Sequence, residues 1–456
     1  MRFASKAHPG QVVGFREALF TGLAPDGGLY HPVDAPDLAG LFASFSDSTS
    51  FLDVAAETSA ILLAPEIAPD RARRLARQAF GFSPVLQRLD DRVLLLELFH
   101  GPTCAFKDFG AQFLASAMAD LLGENDERIQ ILVATSGDTG SAVANAFHGR
   151  TNIDVVILYP SGRVSDLQEK QLTTLGGNVH ALEVEGSFDD CQRLVKEAFQ
   201  DRTLRERLRL TSANSINIGR LIPQCLFYVF AGTRRAMLGT AAPTICVPSG
   251  NFGNLTAGVY AWRWGLPVRG FIAATNVNDV VPVYLRTGRF DPRPSAQTLS
   301  NAMDVGNPSN FERLREVFKP GWEDMASRIQ GRSVTDERTM ETMRRVHAEH
   351  GRIVEPHTAV GIAAAWEYLA GAAGGADGGG ASRGGQRTAR AVPEREQVIV
   401  LSTAHPAKFS DIVRKATGVT PEMPDRLARC LSLPKQSLRI GTTLAQLSEF
   451  LLDSFA

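Results

Sequence analysis

Lysine is scarce in this chain. Of 48 basic residues only eight are lysines (Lys6, Lys107, Lys170, Lys196, Lys319, Lys408, Lys415 and Lys435), so chemistry that needs an amine has few places to occur. Cysteine is scarce as well. Cys104, Cys191, Cys225, Cys246 and Cys430 stand singly with no CxxC pair, which argues against a disulfide scaffold and a structural zinc site; no metal site is expected. Long apolar runs are missing: Leu221–Ala231 is interrupted by Pro223 and Gln224, far short of the roughly 18 residues a membrane span needs. Met1–Gly10 is polar and lacks a signal peptide's apolar stretch. Charge of one sign is missing too. With 48 basic against 49 acidic residues the net charge is -1, and no basic run invites nucleic acid or an anionic membrane. What is present is 456 residues, 44% hydrophobic and 21% charged, enough for two or three globular domains. The expectation is a cytoplasmic protein with a small-molecule partner, the choice between monomer and homodimer being open.

The first ninety residues carry two stretches of helical periodicity, Phe51–Ala64 and Ala68–Gly81, after a turn-rich Ala24–Pro32. They predict a small helical domain over 1–90. From Val93 the pattern changes to short apolar runs, each followed by a helix: Arg92–Leu98 before Lys107–Leu122, Arg128–Ala134 before Gly140–Gly149, Asp154–Tyr159 before Ser165–Leu175, and Val179–Val184 before Phe188–Phe199. Later, Thr244–Pro248 precedes Asn254–Trp264 and Gln397–Ser402 precedes Ala407–Thr417. Such alternation predicts parallel-sheet α/β architecture over 91–456. A low-complexity Gly-rich stretch at about 371–396 reads as a flexible surface insertion.

Four junctions carry chemistry. In Ala134–Ser141 (ATSGDTGS) a strand runs into two glycines flanked by hydroxyls and then a helix, which favours an anion at the helix start; the plain alternative is a helix capped by Asp138 or Thr139. Val247–Asn254 (VPSGNFGN) lets the main chain wrap a tetrahedral anion, or is simply a tight turn, and its spacing is neither G-x-G-x-x-G nor a P-loop. Leu401–Phe409 (LSTAHPAKF) presents Ser402, Thr403 and His405 at a strand end, where open α/β sheets bind ligands; Thr403 as a helix cap is the ordinary alternative. Glu97–Asp108 (ELFHGPTCAFKD) sets Lys107 between Phe106 and a helix N-terminus. Desolvation and the helix dipole both lower a lysine pKa there, as a Schiff-base lysine requires. An activated lysine, a phosphate cradle, a second anion loop and a strand-end hydroxyl together fit pyridoxal 5'-phosphate (PLP), with the second loop holding an amino-acid carboxylate.

At these residues the chain resembles the threonine synthase family, PLP enzymes of fold-type II, over nearly its whole length. The resemblance rests on Thr21–Tyr30 (TGLAPDGGLY), His100–Asp108, Ala134–Ser141, Phe188–Gln192 (FDDCQ), Ser215–Gln224 (SINIGRLIPQ), Pro248–Asn254, Ala302–Arg313 (AMDVGNPSNFER), Pro356–Gly361 (PHTAVG) and Thr403–Phe409. It implies an α/β fold with two parallel-sheet lobes plus the small, mainly helical N-terminal domain. It implies that Lys107 is the Schiff-base and catalytic lysine. Gly250, Asn251, Phe252, Gly253 and Asn254 become the 5'-phosphate cradle, and Thr403 the partner of the pyridine nitrogen. Asp138 stands where many relatives place an Asn against the cofactor's 3'-oxygen. Substrate contacts are expected from Thr135, Ser136, Gly137 and Thr139, and from Asn217 and Arg220; further candidates for the substrate phosphate are Arg163, Ser165, Asn307, Ser309 and Arg313. His100, His405 and His357 are candidates for proton relay. Cys104 and Glu355 depart mildly from the family pattern.

The implied reaction converts O-phospho-L-homoserine and water to L-threonine and phosphate, the last step of threonine biosynthesis. Two alternatives stay open at this point. A related PLP lyase would release a keto acid and ammonia, and a non-catalytic α/β protein would merely bind a phosphate metabolite.

Overall fold

A computed structural model describes every residue except 35, 65, 124–127, 240, 320 and 372–395, so the expected Gly-rich insertion lies, apart from its two edges, outside the described residues. The alternation of apolar runs and helices folds into two sheets. The larger has six strands in the order Ile329–Ser333, Gly270–Thr275, Thr244–Pro248, Val398–Ser402, Val93–Glu97 and Val85–Arg88. All pair in parallel except Val85–Arg88, which returns antiparallel on Val93–Glu97. The smaller sheet is wholly parallel, in the order Leu438–Ile440, Val179–Val184, Ile153–Pro160, Ile129–Ala134 and Arg209–Ser212. Among the described residues no helix is long and apolar enough to cross a membrane.

Central strands are near-continuous apolar runs because both faces are covered by helices. In the larger sheet Val93, Leu95, Val398 and Val400 pack with the helix Pro356–Gly371, whereas Leu94, Leu96, Ile399 and Leu401 face the opposite core. The alternation follows from the two-residue strand period.

The N-terminal segment is mainly helical as expected (Phe15–Thr21, Ala39–Ser44, Phe51–Leu62 and Pro69–Ala79), with one two-stranded ribbon, Phe3–Ala4 on His31–Pro32. Its apolar residues share the core of the α/β region. The contact centres on Phe109, which is fully buried in the helix Lys107–Leu121. Phe51, Phe80 and Phe82 lie with ring centroids 5.3, 5.9 and 4.8 Å from it, and Phe227 meets it from the other side at 5.4 Å. The N-terminal helices therefore brace the helix that starts at Lys107. Two features differ from the sequence reading. The helix expected over Ala407–Thr417 begins as a 3₁₀ turn, Pro406–Phe409, before Ser410–Thr417. The C-terminal residues return to the smaller sheet and add the edge strand Leu438–Ile440.

Truncating Phe109 removes four aromatic contacts at once. Phe109→Ala should cost about 3–5 kcal/mol, read as a fall in thermal midpoint with far-ultraviolet circular dichroism retained; an unchanged midpoint would contradict this packing.

Candidate active site

The larger sheet sets the site by register. Val398–Ser402 pairs with Val93–Glu97 so that Ser402 lies opposite Glu97, and both strands end at the same level. The segments that follow are stitched together: the Phe106 amide donates to the Thr403 carbonyl (2.8 Å) and the His405 amide to the Cys104 carbonyl (3.0 Å). Cys104 takes a left-handed φ of 57° in this turn, a conformation uncommon outside glycine. Asp108 anchors it from within, accepting from the Thr103 hydroxyl (2.6 Å) and amide (2.9 Å). Burial raises the Asp108 carboxyl to about 6, against the pull of those bonds.

Lys107 is the first residue of its helix, where no side chain caps the orphan amides. Its amine lies 5.8 Å from the Phe106 ring centroid. Burial lowers its pKa to about 8; Asp138 and Glu355 oppose that shift, whereas Arg220 and Lys408 add to it. The expectation of a tuned lysine at this position thus has its physical cause in the surroundings.

Across the cleft, the strand Ile129–Ala134 delivers the first loop. Thr135 organises it: its hydroxyl accepts from the amides of Gly137 (3.0 Å) and Gly140 (2.8 Å), so Thr135 shapes the turn. Gly137, not Asp138 or Thr139, occupies the helix N-cap at φ 137°, with no side-chain cap. A side chain there would be strained and would also meet the Gln168 amide at 2.6 Å. Ser136 and Thr139 are partly exposed. Asp138 is buried and accepts from Lys408 Nζ (2.7 Å) and Gln168 Nε2 (2.9 Å). Burial would raise its carboxyl, but Lys408 and Lys107 hold it far below the usual range.

The second loop follows Thr244–Pro248, separated from Val93–Glu97 by a single strand. Phe252 takes the left-handed φ of 60° and leaves the helix from Gly253 uncapped, so its first amides are free to meet an anion. The asparagine side chains of this turn are engaged with protein groups. Asn251 bonds Ser215 and Ser309, and Asn254 bonds the Pro248 carbonyl. Gly250 is pressed against the segment 302–303, where a Cβ would meet the Ala302 oxygen at 2.7 Å and Met303 Cα at 2.8 Å.

Behind the strand-end hydroxyls lies a residue the motif reading treated only as a mild departure. Glu355 is wholly buried and accepts from the His357 amide and Nδ1, the Thr358 amide and hydroxyl, and, at 3.4 Å, the Thr403 hydroxyl. His357 Nε2 in turn accepts from the Ala302 amide (3.1 Å). One chain of bonds therefore runs from Thr403 through Glu355 and His357 to the segment beneath Gly250. Thr403 does not cap a helix; His405 does, through its Nδ1. Burial pushes His405 down to about 4, so it is neutral near pH 7. His100 is bonded to Glu97 (3.0 Å).

The expected substrate contacts divide. Arg220 is buried; it donates through one nitrogen to the Ala213 carbonyl (2.7 Å), while its Nε meets no partner. No ion pair to it is found among the described residues, and burial lowers its pKa to about 10. An unneutralised buried guanidinium is a site for an anion. Asn217, in contrast, is fully committed: its amide donates to the Leu19 and Ser212 carbonyls and its oxygen accepts from Gly219, capping the helix that carries Arg220. Arg313 is also turned to structural work, with four of its N–H groups on Tyr30, Ser215, Ile216 and Asn310 oxygens. Ser165 caps its own helix, and Arg163 and Asn307 are exposed. Lys408 is the residue that sequence reasoning missed. It sits in the quoted LSTAHPAKF segment, and its signal was only that it is one of so few lysines.

Comparison with known proteins gives a consistent family. The description "Pyridoxal-phosphate dependent enzyme" matches residues 77–379, flanked by matches to "Threonine synthase N terminus" over 2–80 and "Threonine synthase, C-terminal" over 375–451. The chain is 40% identical to the threonine synthase of Serratia marcescens over 443 residues, 97% of each chain. It is 40% identical to that of Escherichia coli (strain K12) over 444 residues, again 97% of each. Among solved structures, threonine synthase from Escherichia coli superposes with a TM-score of 0.87 at 38% identity, covering 100% of both chains. PLP-bound threonine synthase from Brucella melitensis gives 0.86 at 36%, covering 100% of this chain and 99% of that one.

Gly250→Ala tests the main-chain cradle. The added methyl should cost about 1–3 kcal/mol and weaken cofactor binding about ten- to hundredfold, measured by titrating the stripped chain with PLP; wild-type affinity would contradict the packing beneath Gly250.

Proposed function

We infer a division of labour among the residues of this chain, which belongs to the threonine synthase family of PLP-dependent enzymes. The chain is a PLP-dependent lyase of threonine biosynthesis, converting O-phospho-L-homoserine and water to L-threonine and phosphate. The keto-acid-releasing lyase and the non-catalytic binder, both open from sequence, are not favoured by relatives of this identity and coverage. Likeness to the threonine deaminase of Solanum lycopersicum, at 15% identity and a TM-score of 0.52, is one of fold.

The residues present fit the cofactor. An amine tuned to about 8, an uncapped helix start packed too closely for a side chain at Gly250, and a hydroxyl tethered at a strand end match its aldehyde, phosphate and ring nitrogen. When bound, PLP supplies an electron sink that acidifies hydrogens on the substrate's Cα and Cβ. Lys107 would hold the cofactor and, as a free amine, carry protons from Cα and then Cβ. The amides of Gly250 to Asn254 would hold the cofactor phosphate, with Thr403 facing the ring nitrogen. Ser136, Gly137 and Thr139, on the loop ordered by Thr135, would receive the substrate carboxylate.

The observation that carries this reading is the charge of the cleft. Lys107, Lys408 and Arg220 are drawn together there, and among the described residues only Lys408 of the three has a carboxylate in contact, that of Asp138. A surplus of buried cations suits a substrate bearing a carboxylate and a phosphate, and Arg220, with its unpartnered Nε, would take the latter. Asn217 acts by holding the Arg220 helix.

Incubation with O-phosphohomoserine should yield threonine and phosphate in equal amounts. Lys107→Ala should lower the rate by at least roughly 10²–10⁴-fold. Arg220→Met should lower kcat/KM about ten- to hundredfold, the worth of a charge-assisted contact. Release of 2-oxobutyrate in place of threonine would move the chain to the keto-acid lyases, and an unaffected Arg220→Met enzyme would remove Arg220 from the substrate site.

A further inference from the structure

Lys408 has a place in the cleft that neither the cofactor nor the substrate assignment uses. Its side chain is wholly shielded from solvent and its Nζ lies 2.7 Å from Asp138 Oδ1. The same Nζ donates to the Thr103 carbonyl at 3.0 Å, which also accepts from Gln171 Nε2 at 3.3 Å. Gln168 Nε2 donates to the same Asp138 oxygen at 2.9 Å. Lys408 thus ties together three pieces of chain: the loop before Lys107, the start of the small-lobe helix Asp138–Phe147, and the turn after the strand Val398–Ser402. Asp138 is also the foremost carboxylate acting on Lys107. A buried ammonium group, Lys408, and the half-buried Lys107 therefore compete for one carboxylate, and the geometry gives it to Lys408.

We propose that Lys408 is a positioning residue for the reaction: by occupying the Asp138 carboxylate and anchoring it to the Thr103 carbonyl, it keeps the Lys107 amine unpaired and reactive. The proposal rests on Lys107 being the cofactor lysine. Its physical content is simple. A buried ammonium paired with a carboxylate is stabilised in its protonated form, which is no nucleophile. Without Lys408, Asp138 would be left without its cationic partner in a buried setting, and Lys107 would be the ammonium that answers it. The charged groups acting on Lys107 are Asp138, Arg220, Lys408 and Glu355, and Lys408 also acts on Asp108, Cys104, His405 and Cys430. Among the described residues, Asp138 is the one of these in ion-pair contact with Lys408.

The test uses the full chain stripped of cofactor, in wild type, K408M, K408R, D138N and K408M/D138N. Trinitrobenzenesulfonate labelling of Lys107, located by peptide mass spectrometry, is followed against pH, together with the rate of PLP uptake and the thermal midpoint. Wild type should label with a midpoint near pH 8. K408M should raise that midpoint by about one pH unit, and uptake at pH 7.5 should slow about tenfold. D138N should lower it, the double variant should lie between the two, and K408R should stay close to wild type. A merely structural Lys408 would lower the thermal midpoint and leave the titration unmoved, which would overturn the proposal. So would K408M and D138N moving the midpoint in the same direction. Should K408M fail to fold, D138N decides alone, because an unchanged or raised midpoint contradicts the competition. If PLP and borohydride mark a lysine other than Lys107 in wild type, the cofactor reading fails first, and that result is separate from the titrations.

Discussion

Two main-chain hydrogen bonds, Phe106 amide to Thr403 carbonyl and His405 amide to Cys104 carbonyl, place everything else in this cleft. They extend the pairing of Val93–Glu97 with Val398–Ser402 past the strand ends, where loops would otherwise diverge. As a result, Lys107, Thr403 and Lys408, more than three hundred residues apart in part, share one rigid junction. The cost is local: Cys104 is held in a left-handed conformation, and the buried Asp108 carboxyl must be satisfied by Thr103. Strain of this kind persists only where surroundings over-determine it, and here the Phe51–Phe80–Phe82 cluster on Phe109 supplies that support from behind.

Charge is the second constraint. Lys107, Lys408 and Arg220 lie close enough in a desolvated space for each of the latter two to lower the Lys107 pKa. Asp138 offsets part of the excess by contact with Lys408, and Glu355 lies further round, engaged by His357, Thr358 and Thr403. Leftover positive charge is tolerable in an interior only if something anionic is meant to enter. A family whose substrate carries both a carboxylate and a phosphate, and whose cofactor carries a second phosphate, supplies such anions.

Much of this was legible in the sequence because strand-to-helix junctions leave a local record. Apolar runs of five or six residues ending in Gly, Ser and Thr mark where parallel strands stop and ligands bind, and the strands around Lys107, Gly137, Gly250 and Thr403 appear within one or two residues of their expected bounds. What stayed hidden depends on contacts between distant segments. Nothing near Lys408 says that its partner is Asp138, 270 positions away, and Asn217 looks like a substrate ligand until its amide is found on Leu19 and Ser212. Arg313, plausible as a phosphate contact, is a clamp on Tyr30 and the Ser215 turn. The edge strand Leu438–Ile440 is only three residues long and two of them are exposed, so no periodicity announces it.

Of the two amines that meet at this junction, Lys107 is the one free to react, because Lys408 is held by Asp138 and the Thr103 carbonyl. Borohydride reduction of the cofactor-loaded chain, followed by peptide mapping, tests this directly. The cofactor is expected on the peptide containing Lys107, with Lys408 unmodified; cofactor found on Lys408 would overturn this assignment.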